Sequence, residues 1–200
     1  MCNTNQITRG TSPSNSRSFR SFCRIGLVAS VLGLLCCSVP AIADDQVPFN
    51  GTFEGIDHAT SVGPCTTIVE HSGEGQATHL GRFTLTSTTI TPDSCTFFPN
   101  FDVYDDSVIL TAANGDQLFG TVIGTATLVD FTDPTRIRVV GETIITITGG
   151  TGRFANSTGT IRWSLVAKLY EGTVLPDGTR LDPEVSNLEG TLSSVGANKK

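Results

Sequence analysis

The stretch Ile161-Arg162-Trp163-Ser164-Leu165-Val166-Ala167-Lys168-Leu169-Tyr170 decides the local conformation by its period. Ile161, Trp163, Leu165, Ala167 and Leu169 fall on one side of a strand, and Arg162, Ser164, Val166, Lys168 and Tyr170 on the other. A helix brings every third or fourth residue together, whereas a strand brings every second, so this pattern reads as a strand with one core face and one mostly wet face. The preceding segment repeats it. Ile137, Val139, Thr143, Ile145 and Ile147 point inward against Arg136, Arg138, Glu142, Thr146 and Thr148, while Val140 and Ile144 interrupt the polar face. Further upstream, Val108, Leu110 and Ala112 lead through Asn114-Gly115-Asp116 into Leu118, Gly120, Val122, Gly124, Ala126 and Leu128. Asn-Gly between two alternating runs predicts a hairpin, because both residues accept the positive φ of a primed turn.

Further strands are expected at residues 48–56, 64–71, 76–91 and 186–194, for a total of about eight or nine. Threonine is abundant along this part of the chain and methionine is absent from it. Branched Cβ atoms suit the pleated, half-buried surface of a sheet. Several long strands joined by short turns, without helices between them, predict an all-β fold: a single antiparallel β-barrel of about eight strands. A β-sandwich is the competing architecture, since alternation alone does not distinguish closure from stacking. Glycines at alternate positions from Gly120 to Gly124 favour the bent strands of a barrel.

The 200 residues divide into two parts. Residues 1–43 read as an export signal, in which Arg9, Arg17, Arg20 and Arg24 precede an apolar run at 25–37, and Ala41 and Ala43 fit signal-peptidase cleavage. Residues 44–200 form the expected barrel domain, placed outside the cytosol: secreted, periplasmic or at the cell surface. All 19 acidic residues lie beyond the cut, against nine of the 13 basic ones, so the net charge of −6 for the whole chain becomes −10 for the exported part. Such a surface disfavours nucleic acid, whose phosphates need a basic face. The apolar run is too short to span a bilayer and leaves with the signal, so no integral membrane segment is expected in the mature chain. Of six cysteines, Cys2, Cys23, Cys36 and Cys37 precede the cut. Cys36 follows the bulky pair Leu34-Leu35, a poor context for lipoprotein processing. Cys65 and Cys95 remain, and in an oxidising compartment two cysteines without a CxxC pattern read as a disulfide.

Between the two clearest strands lies Ile147-Thr148-Gly149-Gly150-Thr151-Gly152-Arg153-Phe154-Ala155-Asn156-Ser157-Thr158-Gly159. Gly149, Gly150 and Gly152 permit backbone angles denied to other residues, so a short helical turn near Arg153 is expected, with Phe154 plugging the barrel end. The spacing lacks the lysine and long helix of a phosphate-binding loop. Arg153 is assigned to pairing with a local acid or carbonyl. This segment resembles the glycine turn of plant dirigent proteins and is similar to the corresponding connection in the allene oxide cyclase barrel family. Bacterial secreted proteins of unassigned role carry similar stretches, with an upstream motif like Ala77-Thr78-His79-Leu80-Gly81-Arg82-Phe83. The resemblance implies a barrel with an apolar cavity open at one end, and symmetric oligomers. It assigns no catalytic residue here, because nothing outside the glycine turn aligns.

The functional expectation is a secreted β-barrel that binds or shapes a small apolar ligand in its cavity. Its alternatives are an isomerase or cyclase of the allene oxide cyclase type, and a non-catalytic cell-surface or matrix interaction module. Such a pocket needs an apolar lining and a few orienting polar groups. Phe53, Phe83 and Trp163 are lining candidates, with Ile145 and Leu165. Glu54 and Glu142 are the polar candidates, with Glu70, His79 and Arg82. No cofactor or metal is expected: His58, His71 and His79 are widely spaced, Asp57-His58 diverge along a strand, and Asp102, Asp105 and Asp106 lack a calcium-loop pattern. The segment 175–184 is expected as a long loop over one barrel end. Val140, Ile144 and Val166 mark a possible homo-oligomer contact.

Overall fold

Alternating side chains require a sheet with one dry face, and here that face is enclosed by closing the sheet on itself. The computed structural model describes residues 46–193 except 93, 94, 96 and 97, with backbone only for 105 and 106. The expected export signal lies outside the described residues. The strands are β1 (Gln46–Gly63), β2 (Thr66–Ala77), β3 (Gly81–Thr91), β4 (Asn100–Ala112), β5 (Gln117–Val129), β6 (Arg138–Gly150), β7 (Gly159–Ala167), the short β8 (Thr173–Val174) and β9 (Arg180–Ser193). Each long strand runs antiparallel to the next, β7 pairs with β9, and β9 pairs with β1 from Gln46↔Ser193 to Ala59↔Arg180. The result is a closed eight-stranded antiparallel barrel, with β8 added beside β9 at one rim. Sandwich stacking is thereby ruled out. Among the described residues no helix is long and apolar enough to cross a membrane.

Most of the expected strands form, but their ends shift: β1 and β2 run on to Gly63 and Ala77, past the expected 56 and 71, and β7 stops at Ala167, leaving 168–170 outside it. Residues 76–91 are not one strand: β2 ends at Ala77 and β3 begins at Gly81. His79 and Gly81 both take positive φ (66° and 69°), which reverses the chain. The 175–184 segment is shorter as a loop than expected, because β9 begins at Arg180. The Asn114-Gly115 hairpin forms, with Gly115 alone at positive φ (85°), and the Asp116 N–H donates to Asn114 Oδ1.

The inward residues pack one half of the barrel solidly. Phe49, Phe53, Phe83, Leu110, Leu118, Ile145, Ile161, Leu188 and Leu192 are buried in a single cluster. The glycine turn caps this half. Gly152–Phe154 forms a 3-10 turn, and Phe154 is fully buried beneath it. Gly152 sits at φ +55°, and a Cβ there would lie 1.8 Å from Asp116 Oδ1, so no side chain fits. Arg153 pairs with Asp116 at 3.7 Å and donates to the Leu80 carbonyl at 3.4 Å, which is the structural role expected of it.

The opposite rim is built from the β1–β2 turn, the β3–β4 and β5–β6 connections, and the segment carrying β8. A disulfide joins Cys65, beside β2, to Cys95 in the β3–β4 connection. On the outer wall, Ile90, Tyr104, Ile123 and Ile144 are successive register partners across β3, β4, β5 and β6, and all four are exposed.

The bridge closes a loop 30 residues apart in sequence at the unpacked rim. Replacing both cysteines with serine is expected to lower unfolding free energy by about 3 kcal/mol, chiefly by releasing the unfolded chain. Urea unfolding of the two proteins measures the difference, and equal midpoints would show that the bridge adds nothing.

Candidate functional site

The packing stops halfway along the barrel. In β1 the inward series runs Phe49, Phe53, Asp57, so the strand that begins aromatic turns to a buried carboxylate, with Ala59 beyond it at the cavity. β9 likewise passes from Leu192 and Leu188 to Ser186, Glu184 and Asp182, and β2 turns His71 inward. Above these residues lies a cavity of about 280 Å³. Its wall includes Val69, Val103, Leu128, Val139, Trp163 and Leu165, its polar floor includes Asp57, His71 and Thr89, and Gly178 and Arg180 stand at the rim.

Sheet register creates the floor. Asp57 and His71 are direct partners across β1 and β2, and His71 Nδ1 lies 2.7 Å from Asp57 Oδ1. Glu184 comes from the other side of β1, opposite Gly55. Glycine there and at its β2 partner Gly73 leaves no inward side chain between them, and the Glu184 carboxylate reaches across to place Oε2 3.0 Å from the same Nδ1. The remaining imidazole nitrogen, Nε2, is 3.0 Å from Thr89 Oγ1. Ser186 Oγ donates to Glu184 Oε1 and accepts from Trp163 Nε1 at 2.9 Å. The Trp163 ring meets the His71 ring edge to face, with centroids 5.1 Å apart. Every member of the cluster is thus held by a neighbour on another strand.

Burial and mutual attraction set the charges. Desolvation pushes Asp57 up to about 7, outweighing its attraction to His71. For His71 burial works downward, but Asp57 and Glu184 overcome it and raise the imidazole to about 10. Glu184 is held below its ordinary value: burial opposes ionisation, but hydrogen bonds with His71, Asp57 and Ser186 prevail. Two carboxylates on one imidazole are therefore driven apart, Glu184 ionised and Asp57 titrating near neutral pH, an arrangement suited to holding or moving one proton beside the cavity. At the rim, Arg180 binds Asp182 at 2.8 Å and the Leu169 carbonyl at 3.0 Å.

The structure sorts the residues expected from sequence. Trp163 and Leu165 line the cavity. Phe53, Phe83 and Ile145 instead belong to the packed half, fully buried but away from the hollow. Glu54 and Glu142 point outward, where they share a shallow groove with Val140, Val166 and Val185. Their parity explains this: each directly follows or precedes an inward residue. Glu142 pairs with Arg162 at 2.7 Å and accepts from Ser164. Glu70 and His79 are exposed, and Arg82 pairs on the surface with Glu74. Asp57, His71 and Glu184 lie on three different strands, and no local spacing in the sequence joins them. One signal was available: each shares the parity of inward apolar residues on its own strand. No protein-family model and no curated protein matches the chain.

Protonation gives the cluster a pH signature. Folded Asp57 keeps its proton to about pH 7, whereas its ordinary value is 3.8, so folding takes up a proton between these values and stability falls as pH rises through that window. His71 acts in the same direction, its contribution intact below 6.5 and lost toward about 10. Glu184 acts oppositely, stabilising above 4.5 and losing that contribution as pH falls. The other charged pair facing this region is Arg180–Asp182. Urea melts in EDTA-containing buffer should show a higher midpoint at pH 5.5 than at pH 8.5. Asp57→Asn should flatten the part of that slope below pH 7, and an unchanged slope in the variant would refute the assignment.

Proposed function

We propose that the open half of the barrel binds a small, largely apolar molecule. One observation carries this reading: the barrel is packed at one end only, and the other end encloses an apolar-walled cavity with a polar floor. Its volume of about 280 Å³ lies just below the range for ligand pockets, roughly 300–1,000 Å³, which suits a compact ligand. Apolar walls release water from the ligand body, and the Asp57 and His71 groups orient one polar substituent. This reading includes action outside the cytosol, supported by the Cys65–Cys95 disulfide. Kinship with the allene oxide cyclase and dirigent barrels belongs to the same proposal, supported by the closed barrel and the glycine turn at residues 149–159.

A second reading, an isomerase or cyclase, is favoured by the acid–base cluster on the cavity floor. Self-association is a further part of the proposal, supported by the exposed row Ile90, Tyr104, Ile123 and Ile144. Sedimentation at micromolar concentration should give a mass above the monomer, and Ile123→Lys should reduce it. A monomer under all conditions would dismiss this contact.

Trp163 is the chain's one tryptophan and stands in the cavity wall, so it reports occupancy directly. The neutral probe N-phenyl-1-naphthylamine should quench it by energy transfer and saturate at one equivalent. Ala167→Phe, which fills the wall, should weaken binding about tenfold or more, roughly 1.4 kcal/mol. Absence of saturable quenching, together with no retained small molecule in native mass spectra, would overturn the binding role.

A further inference from the structure

We propose that Asp57, His71 and Glu184 form a mononuclear site for a first-row divalent transition ion on the cavity floor, with Thr89 and Ser186 as its outer partners. Spacing along the chain offered no metal set, but the barrel assembles one from β1, β2 and β9. Asp57 Oδ1 and Glu184 Oε2 converge on a single atom, His71 Nδ1, at 2.7 and 3.0 Å. The donor atoms of all three residues lie within 4.8 Å of one another. An ion bound at about 2.0–2.1 Å to nitrogen and oxygen holds neighbouring donors about 3 Å apart or slightly more. The two separations from Nδ1 are therefore close to what such an ion requires, and the third lies within 4.8 Å.

Charge points the same way. Once Asp57 is ionised, two carboxylates and an imidazolium leave one negative charge in a buried site. A dication that displaces the Nδ1 proton leaves two carboxylates, a neutral imidazole and the ion, which sum to zero. The surrounding hydrogen bonds already suit that state. With Nδ1 free of its proton, Nε2–H donates to Thr89 Oγ1, whose own proton is directed at the Val69 carbonyl at 3.5 Å. Ser186 holds Glu184 by Oε1 and leaves Oε2 for the ion. Outer partners of this kind fix the tautomer and orientation of metal ligands.

The set also selects an ion class. An imidazole nitrogen with two carboxylates suits zinc, manganese, iron or cobalt better than calcium or magnesium, which prefer oxygen throughout. Three protein ligands leave a coordination position open, and Asp57 and His71 both face the cavity. The ion would present that position to whatever occupies the hollow, where it polarises a carbonyl or hydroxyl oxygen.

The experiment uses the full chain, stripped with EDTA, dialysed and titrated separately with Co2+ and Zn2+. One equivalent of Co2+ should produce a visible d–d absorption band, which Zn2+ abolishes by displacement. His71→Ala and Glu184→Gln should weaken Zn2+ binding more than 100-fold, and Thr89→Val and Ser186→Ala about 10- to 100-fold, with far-UV circular dichroism confirming each barrel. Absence of stoichiometric uptake by the wild-type protein would overturn the site whether or not any variant folds. Equal affinity in folded His71→Ala would do so as well, by placing the ion elsewhere. N-phenyl-1-naphthylamine binding by the stripped protein is read separately, so loss of the metal site leaves the cavity reading standing and the converse also holds.

Discussion

The pairing of β1 with β9 is the constraint on which the molecule depends. A sheet that closes on itself has no free edge, and all of its inward side chains must share one interior. Parity then becomes binding along each strand, except where a bulge resets it, as between Val103 and Val108 in β4. A residue on an even step from Phe53, Trp163 or Leu188 is committed to the interior, whatever its chemistry. Asp57, His71 and Glu184 are buried for this reason, although each is of a type that ordinarily seeks water.

Given that closure, the interior divides by side-chain volume. Aromatic and aliphatic residues fill the half beneath the glycine turn, where Phe154 is drawn in from outside the strands to complete the packing. Toward the other rim the inward positions carry Ala59, Ala126, Gly141 and Ala167, which are too small to meet across the barrel. The same fold thus supplies a rigid core and a hollow without a separate domain for each. The disulfide lies at the hollow rim, where side-chain packing contributes least to holding the connections.

The polar floor sits at the boundary between these halves. Burying ionisable groups is costly unless each finds partners, and here the partners come from four neighbouring strands of the sheet, with Trp163 and Ser186 completing the shell. Strand pairing fixes the Cα positions of the cluster, and the hydrogen bonds among His71, Asp57, Glu184, Thr89 and Ser186 hold the side chains. Rigid, desolvated groups facing a cavity are what both ligand orientation and proton or metal chemistry require.

By itself, the alternation in residues 137–170 was sufficient for strands, for their inward faces and for the all-β class, because period two has one structural meaning. Cys65–Cys95, the Phe154 plug and the Arg153 pairing were also legible, since each follows from local chemistry or from elimination. Glu54 and Glu142 show the limit: both are acidic candidates, but their parity sends them outward, where β7 supplies the partners of Glu142. Closure rather than stacking, the position of the hollow, and the meeting of Asp57 with His71 and Glu184 were decided only by tertiary structure. Each depends on register between strands, and register is a relation between distant segments that no single stretch of chain contains.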